Sequence, residues 1–299
     1  MEDSVIEVEN LVKHYAHVRA VDGVSFHVGQ GEIFGLLGPN GAGKTTIIRM
    51  IMDILRPDSG SILLFGQPVG EASKAHIGYL PEERGLYKNY KLLECLVYLA
   101  VLKGLPRSEA KRRALALLER VDLAEYAGRK IKELSKGMNQ KAQFLAAIVH
   151  DPDLLILDEP FQGLDPVNTE LLKTILLEEQ ARGKTVILST HDMNQVEALC
   201  NRILLINHGR AVLYGPLDEI KAGYAEHAVI VECDRLPDSL AGVRRVETLN
   251  HGHELALDAD VTPQAILRQL VDAGVVVQRF EVAVPPLEKI FISVVEGTQ

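Results

Sequence analysis

Nine consecutive residues, Gly38, Pro39, Asn40, Gly41, Ala42, Gly43, Lys44, Thr45 and Thr46, have types and spacing suited to holding phosphate. They fit G-x-x-x-x-G-K-[ST], with the apolar run EIFGLL before them and the helix-like run TIIRMIMDIL after them. The glycines let backbone amides wrap a triphosphate. Lys44 sets a charge against the terminal phosphates, and the Thr45 hydroxyl can ligate magnesium.

A second group lies in LLILDEP, where an apolar run ends in Asp158 and Glu159. Paired carboxylates at a strand terminus suit a magnesium site, Asp158 holding the ion through water and Glu159 polarising an attacking water. A third lies in LSKGMNQK: Ser135 and Gly137 precede the helix-like run MNQKAQFLAAIVH, which the Asp151-Pro152 pair closes. Read alone, Ser135 is an ordinary N-cap. The same residues also form a place where amides and the positive helix end can hold an anion.

These groups need elements to position them. VIEVENLVKHY and AVDGVSFHVGQGEIFGLLG are β-branched runs broken by Asp22-Gly23 and Gly29 to Gly31, which predicts hairpin strands feeding a buried strand. From Pro106 to Arg129 the pattern turns helical, with Ala114, Leu117, Leu118 and Val121 on one face; with LLECLVYLAVLKG before it, this predicts a helical insert. DLLILDEP and GKTVILST read as parallel strands buried on both faces. NRILLINHGRAVLYG reads as a hairpin around His208-Gly209, and PLDEIKAGY as a short helix. The core is therefore α/β. Beyond Tyr224 the chain reads as strand HAVIVEC, helix-like LPDSLAG, strands VRRVETL and HELALDA, helix TPQAILRQLVDAG, strand VVVQRFEVAV and helix PPLEKIFISVVE. That pattern predicts two domains, 1–224 and a small α+β unit at 225–299.

The composition narrows the function classes. Of 299 residues, 47% are hydrophobic and 24% charged, as in an ordinary globular protein. The net charge of -9 argues against a chain that coats nucleic acid. Cys95, Cys200 and Cys233 are widely spaced and odd in number, which predicts reduced thiols in a cytosolic protein. The acidic start MEDSVIEVEN lacks the regions of a signal peptide, and no apolar run is long enough to span a bilayer. Any membrane role is expected to come through a partner.

Taken in order, the motifs of about residues 4 to 220 resemble the nucleotide-binding subunits of ATP-binding cassette (ABC) transporters. The resemblance implies a P-loop ATPase core with a β-subdomain and a helical insert, using ATP and Mg2+. It places Tyr15 where the family stacks an aromatic on adenine, and makes GPNGAGKT the P-loop, LSKGM the signature and LLILDEP the magnesium strand. GLDP becomes the D-loop, and STHD supplies a switch histidine, His191, that senses the γ phosphate. Glu159 is then the general base, with Lys44 and His191 as its catalytic companions. In this family the signature helix of one subunit faces ATP held by the other, so Ser135 and Gly137 would bind a partner's γ phosphate across a head-to-tail dimer.

The sequence departs from the family pattern in three places. Lys136 replaces the first glycine of LSGGQ and Met138 its glutamine, while Glu82 stands where a glutamine usually follows YLP and would itself ligate magnesium. YLPEERGLY and the C-terminal unit most resemble ABC-2 type export ATPases, of the sodium or drug export kind. The segment after Glu82 is where the family receives the coupling helix of a membrane subunit. The expected partners are thus a second cassette, identical or paired, and integral membrane permease subunits, with no nucleic acid; the expected location is the cytoplasmic face of the membrane. Two other classes compete. A cassette acting as a binding switch on ribosomes or in DNA repair would carry two cassettes or long coiled coils, which are not found; a P-loop kinase or GTPase would lack LSKGM and His191.

Overall fold

The computed structural model describes residues 4–16, 18–82, 85–225, 227–237 and 239–296. Glu83 and Arg84, within the YLPEERGLY segment, lie outside them. The chain forms two compact units that divide between Leu217 and Asp218.

The first unit opens with the hairpin β1 (Ser4–Tyr15) and β2 (Val18–Gly29), then β3 (Ile33–Leu37) and α1 (Lys44–Ile51). Next come β4 (Ser59–Leu64), β5 (Gln67–Pro68), the single turn α2 (Glu71–Lys74) and β6 (Ile77–Leu80). Three helices follow, α3 (Leu92–Leu102), α4 (Arg107–Arg120) and α5 (Lys136–Ile148). The unit continues through β7 (Leu154–Asp158), α6 (Pro166–Ala181), β8 (Thr185–Thr190), α7 (Met193–Leu199), β9 (Arg202–Asn207) and β10 (Arg210–Pro216).

Two sheets result. One is antiparallel in the order β2-β1-β4-β5; the other has the order β10-β9-β3-β8-β7-β6. In the second sheet every pairing from β9 to β6 is parallel and only the β10 edge is antiparallel. Every residue of β3, β7 and β8 is buried, which is why their central runs, Ile33–Leu37, Leu154–Leu157 and Val186–Leu188, do not alternate with polar residues; the polar residues Asp158, Thr185, Ser189 and Thr190 stand only at the strand ends. Val8, Leu11 and Val24 of the antiparallel sheet share one core with Ile47 and Ile51 of α1 and with Phe34. Ala110, Ala114, Leu117 and Leu118 form the buried stripe of α4. Among the described residues no helix is long and apolar enough to cross a membrane.

The second unit begins within α8 (Leu217–Gly223) and contains β11 (Ala228–Cys233), β12 (Val243–Thr248), β13 (His253–Leu257), α9 (Pro263–Asp272), β14 (Val277–Val282) and α10 (Leu287–Glu296). Its strands pair antiparallel in the order β12-β13-β11-β14. Ile266 and Leu270 of α9 pack on Val229, Val231, Leu255 and Leu257. Thr262 caps α9 by accepting from the Ala265 amide, and Pro263 occupies its first turn.

Three helix expectations are corrected. The run TIIRMIMDIL is not helical to its end: α1 stops at Ile51, and Asp53 turns out at φ +54°. The pattern from Pro106 to Arg129 is not one helix either, because α4 stops at Arg120, Asp122 lies at φ +57° and only the short 3-10 turn Ala124–Tyr126 follows. LPDSLAG forms no helix among its described residues; seven residues with an internal proline and a terminal glycine cannot repay helix nucleation. Cys95, Cys200 and Cys233 are free thiols.

Candidate functional site

Three neighbouring strands, β3, β8 and β7, deliver the chemistry to one end of the parallel sheet. Leu37 is in register with Thr190, and Asp158 with Ser189, so the turn after β3 and the ends of β7 and β8 open side by side. Ligands of open α/β sheets bind at the carboxyl ends of the strands.

Glycine is required at two points of the β3 turn. Gly38 has φ +148° and a Cβ there would stand 2.2 Å from the Ile206 carbonyl oxygen; at Gly43, φ +115°, it would stand 2.4 Å from that of Ala20. The turn leads directly into α1, whose first residue is Lys44. The Lys44 side chain is buried, and its Nζ donates to the carbonyls of Gly38 (2.7 Å) and Pro39 (3.3 Å). Burial pushes the ammonium pKa down, against the pull of Glu159, Asp158 and Glu82. A cation curled back on its own loop is held ready for a stronger anionic acceptor.

Asp158 is almost wholly buried, yet both its oxygens are bonded: Thr45 Oγ1 donates to Oδ2 at 3.1 Å and Ser189 Oγ donates to Oδ1 at 2.7 Å. Burial raises its pKa, and these two hydroxyls oppose the rise. Glu159 leaves the strand at φ +49°, a left-handed conformation costly for a residue with a Cβ. Its carboxylate is held from β8 and the turn beyond: Thr190 Oγ1 donates to Oε2 at 3.2 Å, while the His191 amide (3.1 Å) and the His191 ring Nδ1 (2.7 Å) both meet Oε1. Since a carboxylate accepts, the ring proton is assigned to Nδ1.

Lys44, Thr45, Asp158 and Glu159 share a cavity of about 370 Å3, lined by the turn from Asn40 to Thr46 together with Glu82; Ser189, Thr190 and His191 do not line it and meet it through the two carboxylates. Val18 and Ala20 of β2 also line it. Tyr15 does not line it; it stands 45% exposed at the end of β1, paired in register with Val18. Among the described residues no three His, Cys, Asp or Glu side chains stand close enough to chelate a metal alone. The oxygens of Thr45, Asp158 and Glu82 nevertheless fit a hard cation such as Mg2+ that completes its shell with water and substrate phosphate.

Ser135 and Gly137 lie elsewhere, at the start of α5. The Ser135 hydroxyl caps the helix by accepting from the Met138 amide at 3.2 Å, and a Cβ on Gly137 would meet nothing within 4 Å. Neither lines the cavity around Lys44. The Lys136 side chain turns toward the loop after β7, its Nζ 3.2 Å from where a Cβ on Gly163 would stand. Sequence reasoning overlooked Val18, Ala20, Ser189 and Thr190. The last two are printed in the STHD motif itself, but their partners emerge only from the β7–β8 register.

Comparison with known proteins identifies the family. Residues 21–162 match the family model described as "ABC transporter", and residues 215–295 match "ATP-binding protein DrrA1-3-like, C-terminal domain". The ABC transporter ATP-binding protein YhaQ of Bacillus subtilis (strain 168) is 40% identical over 291 residues, covering 96% of this chain and 97% of the relative. Nod factor export ATP-binding protein I of Paraburkholderia xenovorans (strain LB400) is 40% identical over 218 residues, 72% of each chain. The solved structure of cbiO1 from Clostridium perfringens, part of the ABC transporter complex cbiONQ, superimposes with a TM-score of 0.64 at 30% identity, covering 74% of this chain and 92% of that one. The chain therefore binds and hydrolyses ATP, and it belongs to the family of ABC transporter ATP-binding subunits.

Proposed function

We propose that the chain is the motor of an exporter, in which two cassettes close head to tail on ATP and drive separate membrane subunits. The observation that carries the hydrolytic part is the Glu159 carboxylate at the cavity, clasped by Thr190 and His191. The turn from Gly38 to Thr46 wraps the triphosphate, with Lys44 moving from its loop carbonyls to the β and γ phosphates. Glu159 takes a proton from the water that attacks the γ phosphorus, and His191 orients that carboxylate. Thr45, Asp158 and Glu82 would hold Mg2+, which supplies charge neutralisation of the phosphates. Tyr15 stacks on the adenine.

The open end of α5 supports the shared-site part of this reading. Ser135, Gly137 and the helix dipole offer an anion site that no group of the Lys44 cavity occupies, so the phosphate they meet belongs to a second cassette. The kinship with a Nod factor export protein favours export, and membership of a transporter family favours a place on the cytoplasmic face of the membrane beside permease subunits. Residues 225–299 are read as an accessory domain, so a chain cut after Tyr224 should still bind ATP.

The test mixes two inactive proteins, K44A and S135R. In a head-to-tail pair one site collects both lesions and the other is intact, so random mixing restores up to roughly a quarter of the sites. Wild-type ATPase per chain is followed against concentration with sedimentation in parallel. Full activity in a confirmed monomer rules out the shared site.

A further inference from the structure

The second unit holds a cavity of about 500 Å3 that the nucleotide chemistry does not use. Its floor is the sheet face turned away from α9, represented by Ile230, Glu247 and Glu254, and its wall is the Val284–Pro286 turn and α10. Ile230, Val284 and Ile290 make it largely apolar, and the volume is that of a site for a drug-sized molecule.

Its polar groups are unusual. Glu247 of β12 and Glu254 of β13 are directly opposite one another in register, an arrangement of like charges that destabilises a sheet. Elsewhere on the same sheet carboxylates are neutralised: the Arg279 guanidinium reaches Glu232 at 3.2 Å and Glu281 at 2.7 Å. Around the cavity this is not done. Among the described residues Glu254 has no cation within 4 Å, and Glu247 has only exposed Arg245 at 4.0 Å. Lys289 also lines the cavity, but it forms no ion pair with either carboxylate.

We propose that this cavity binds a lipophilic organic cation, its apolar body on Ile230, Val284 and Ile290 and its charge against Glu254 and Glu247. Charge complementarity selects this occupant. An apolar molecule would leave the carboxylates desolvated and unpaired, and an anion would add a third like charge. A bare metal ion would have no use for the apolar wall. The inference goes beyond the ATPase reading and does not rest on it.

The experiment uses the full chain and an isosteric pair of probes, tetraphenylphosphonium and tetraphenylborate, titrated by calorimetry. The cation is expected to bind at least about tenfold more tightly than the anion, a difference of about 1.4 kcal/mol. E247Q/E254Q, which keeps shape and removes charge, should abolish that preference, and K289E should tighten cation binding several-fold. S293W, on the cavity wall, should block both probes. Equal binding of the two probes, or a preference that survives E247Q/E254Q, overturns the proposal. The acidic nucleotide cavity cannot mimic the expected result, because its carboxylates are intact in that variant. If S293W instead reduces self-association of the chain and leaves probe binding unchanged, the cavity is a contact between copies, and the proposal also falls.

Discussion

His191 and Glu159 are joined twice, the histidine amide at 3.1 Å and its ring Nδ1 at 2.7 Å sharing one carboxylate oxygen. Both donors converge on that oxygen and aim the carboxylate from a fixed backbone. Glu159→Gln keeps the shape and removes the basicity, so kcat should fall by a factor of about 10² or more while ATP still binds. His191→Ala should lower kcat less, because it removes only the ring contact and keeps the residue 191 amide and Thr190 Oγ1 as donors to the Glu159 carboxylate. Single-turnover hydrolysis beside equilibrium ATP binding checks both. Turnover near wild type in Glu159→Gln removes it as the base.

Thr45 and Asp158, 113 positions apart, meet at 3.1 Å. If both serve the magnesium ion, Thr45→Val and Asp158→Asn should each raise the Mg2+ concentration needed for half-maximal ATPase activity by about tenfold or more. ATPase titrated with MgCl2 at saturating ATP measures this. An unshifted Mg2+ curve in Asp158→Asn would assign the carboxylate to structure alone.

Gly38→Ala places a methyl group 2.2 Å from the Ile206 carbonyl oxygen at a φ of +148°. The backbone must move, and the protein should lose about 2 kcal/mol or more, with nucleotide binding lost as well. Urea unfolding with and without ATP tests this. Gly41→Ala is the comparison: its φ of +81° is also strained, but a Cβ there meets nothing within 4 Å, so stability should fall less.

His150 is buried at the end of α5, its Nε2 donating to the Ile77 carbonyl, and burial pushes its pKa down to about 4. The unfolded chain, with an ordinary histidine near pH 6.5, binds the proton first as pH falls. The contribution is thus complete above pH 6.5 and lost progressively as pH falls toward 4, by about 3 kcal/mol at most. His150→Gln should flatten the fall in urea midpoint between pH 7 and 4.5. An equally steep profile in the variant would place the acid sensitivity in the carboxylates.

Much of this architecture was legible because its signals are local. The P-loop needs Gly38 and Gly43 at fixed offsets, and the strands buried on both faces carry uninterrupted apolar runs such as Leu154–Leu157, so both are printed in consecutive residues. The helix ends were not, since Asp53 and Asp122 turn the chain out in left-handed conformations that propensity does not foresee. Ser189 and Thr190 lay in view, but their partners are fixed by pairing between β7 and β8, strands that α6 separates in sequence. Val18 and Ala20 were missed because an apolar side chain at a cavity rim looks like any other strand residue.

Gln140 has a quieter consequence. It is buried about one turn into α5, where its amide donates to the Pro160 carbonyl at 2.6 Å, one residue beyond Glu159. A buried bond of that length resists stretching, because the freed carbonyl would have no replacement donor. Pulling or turning α5 from its exposed end therefore drags the backbone on which the Glu159 carboxylate is mounted. The helix works as a lever whose handle lies at Ser135 and whose fulcrum lies in the core.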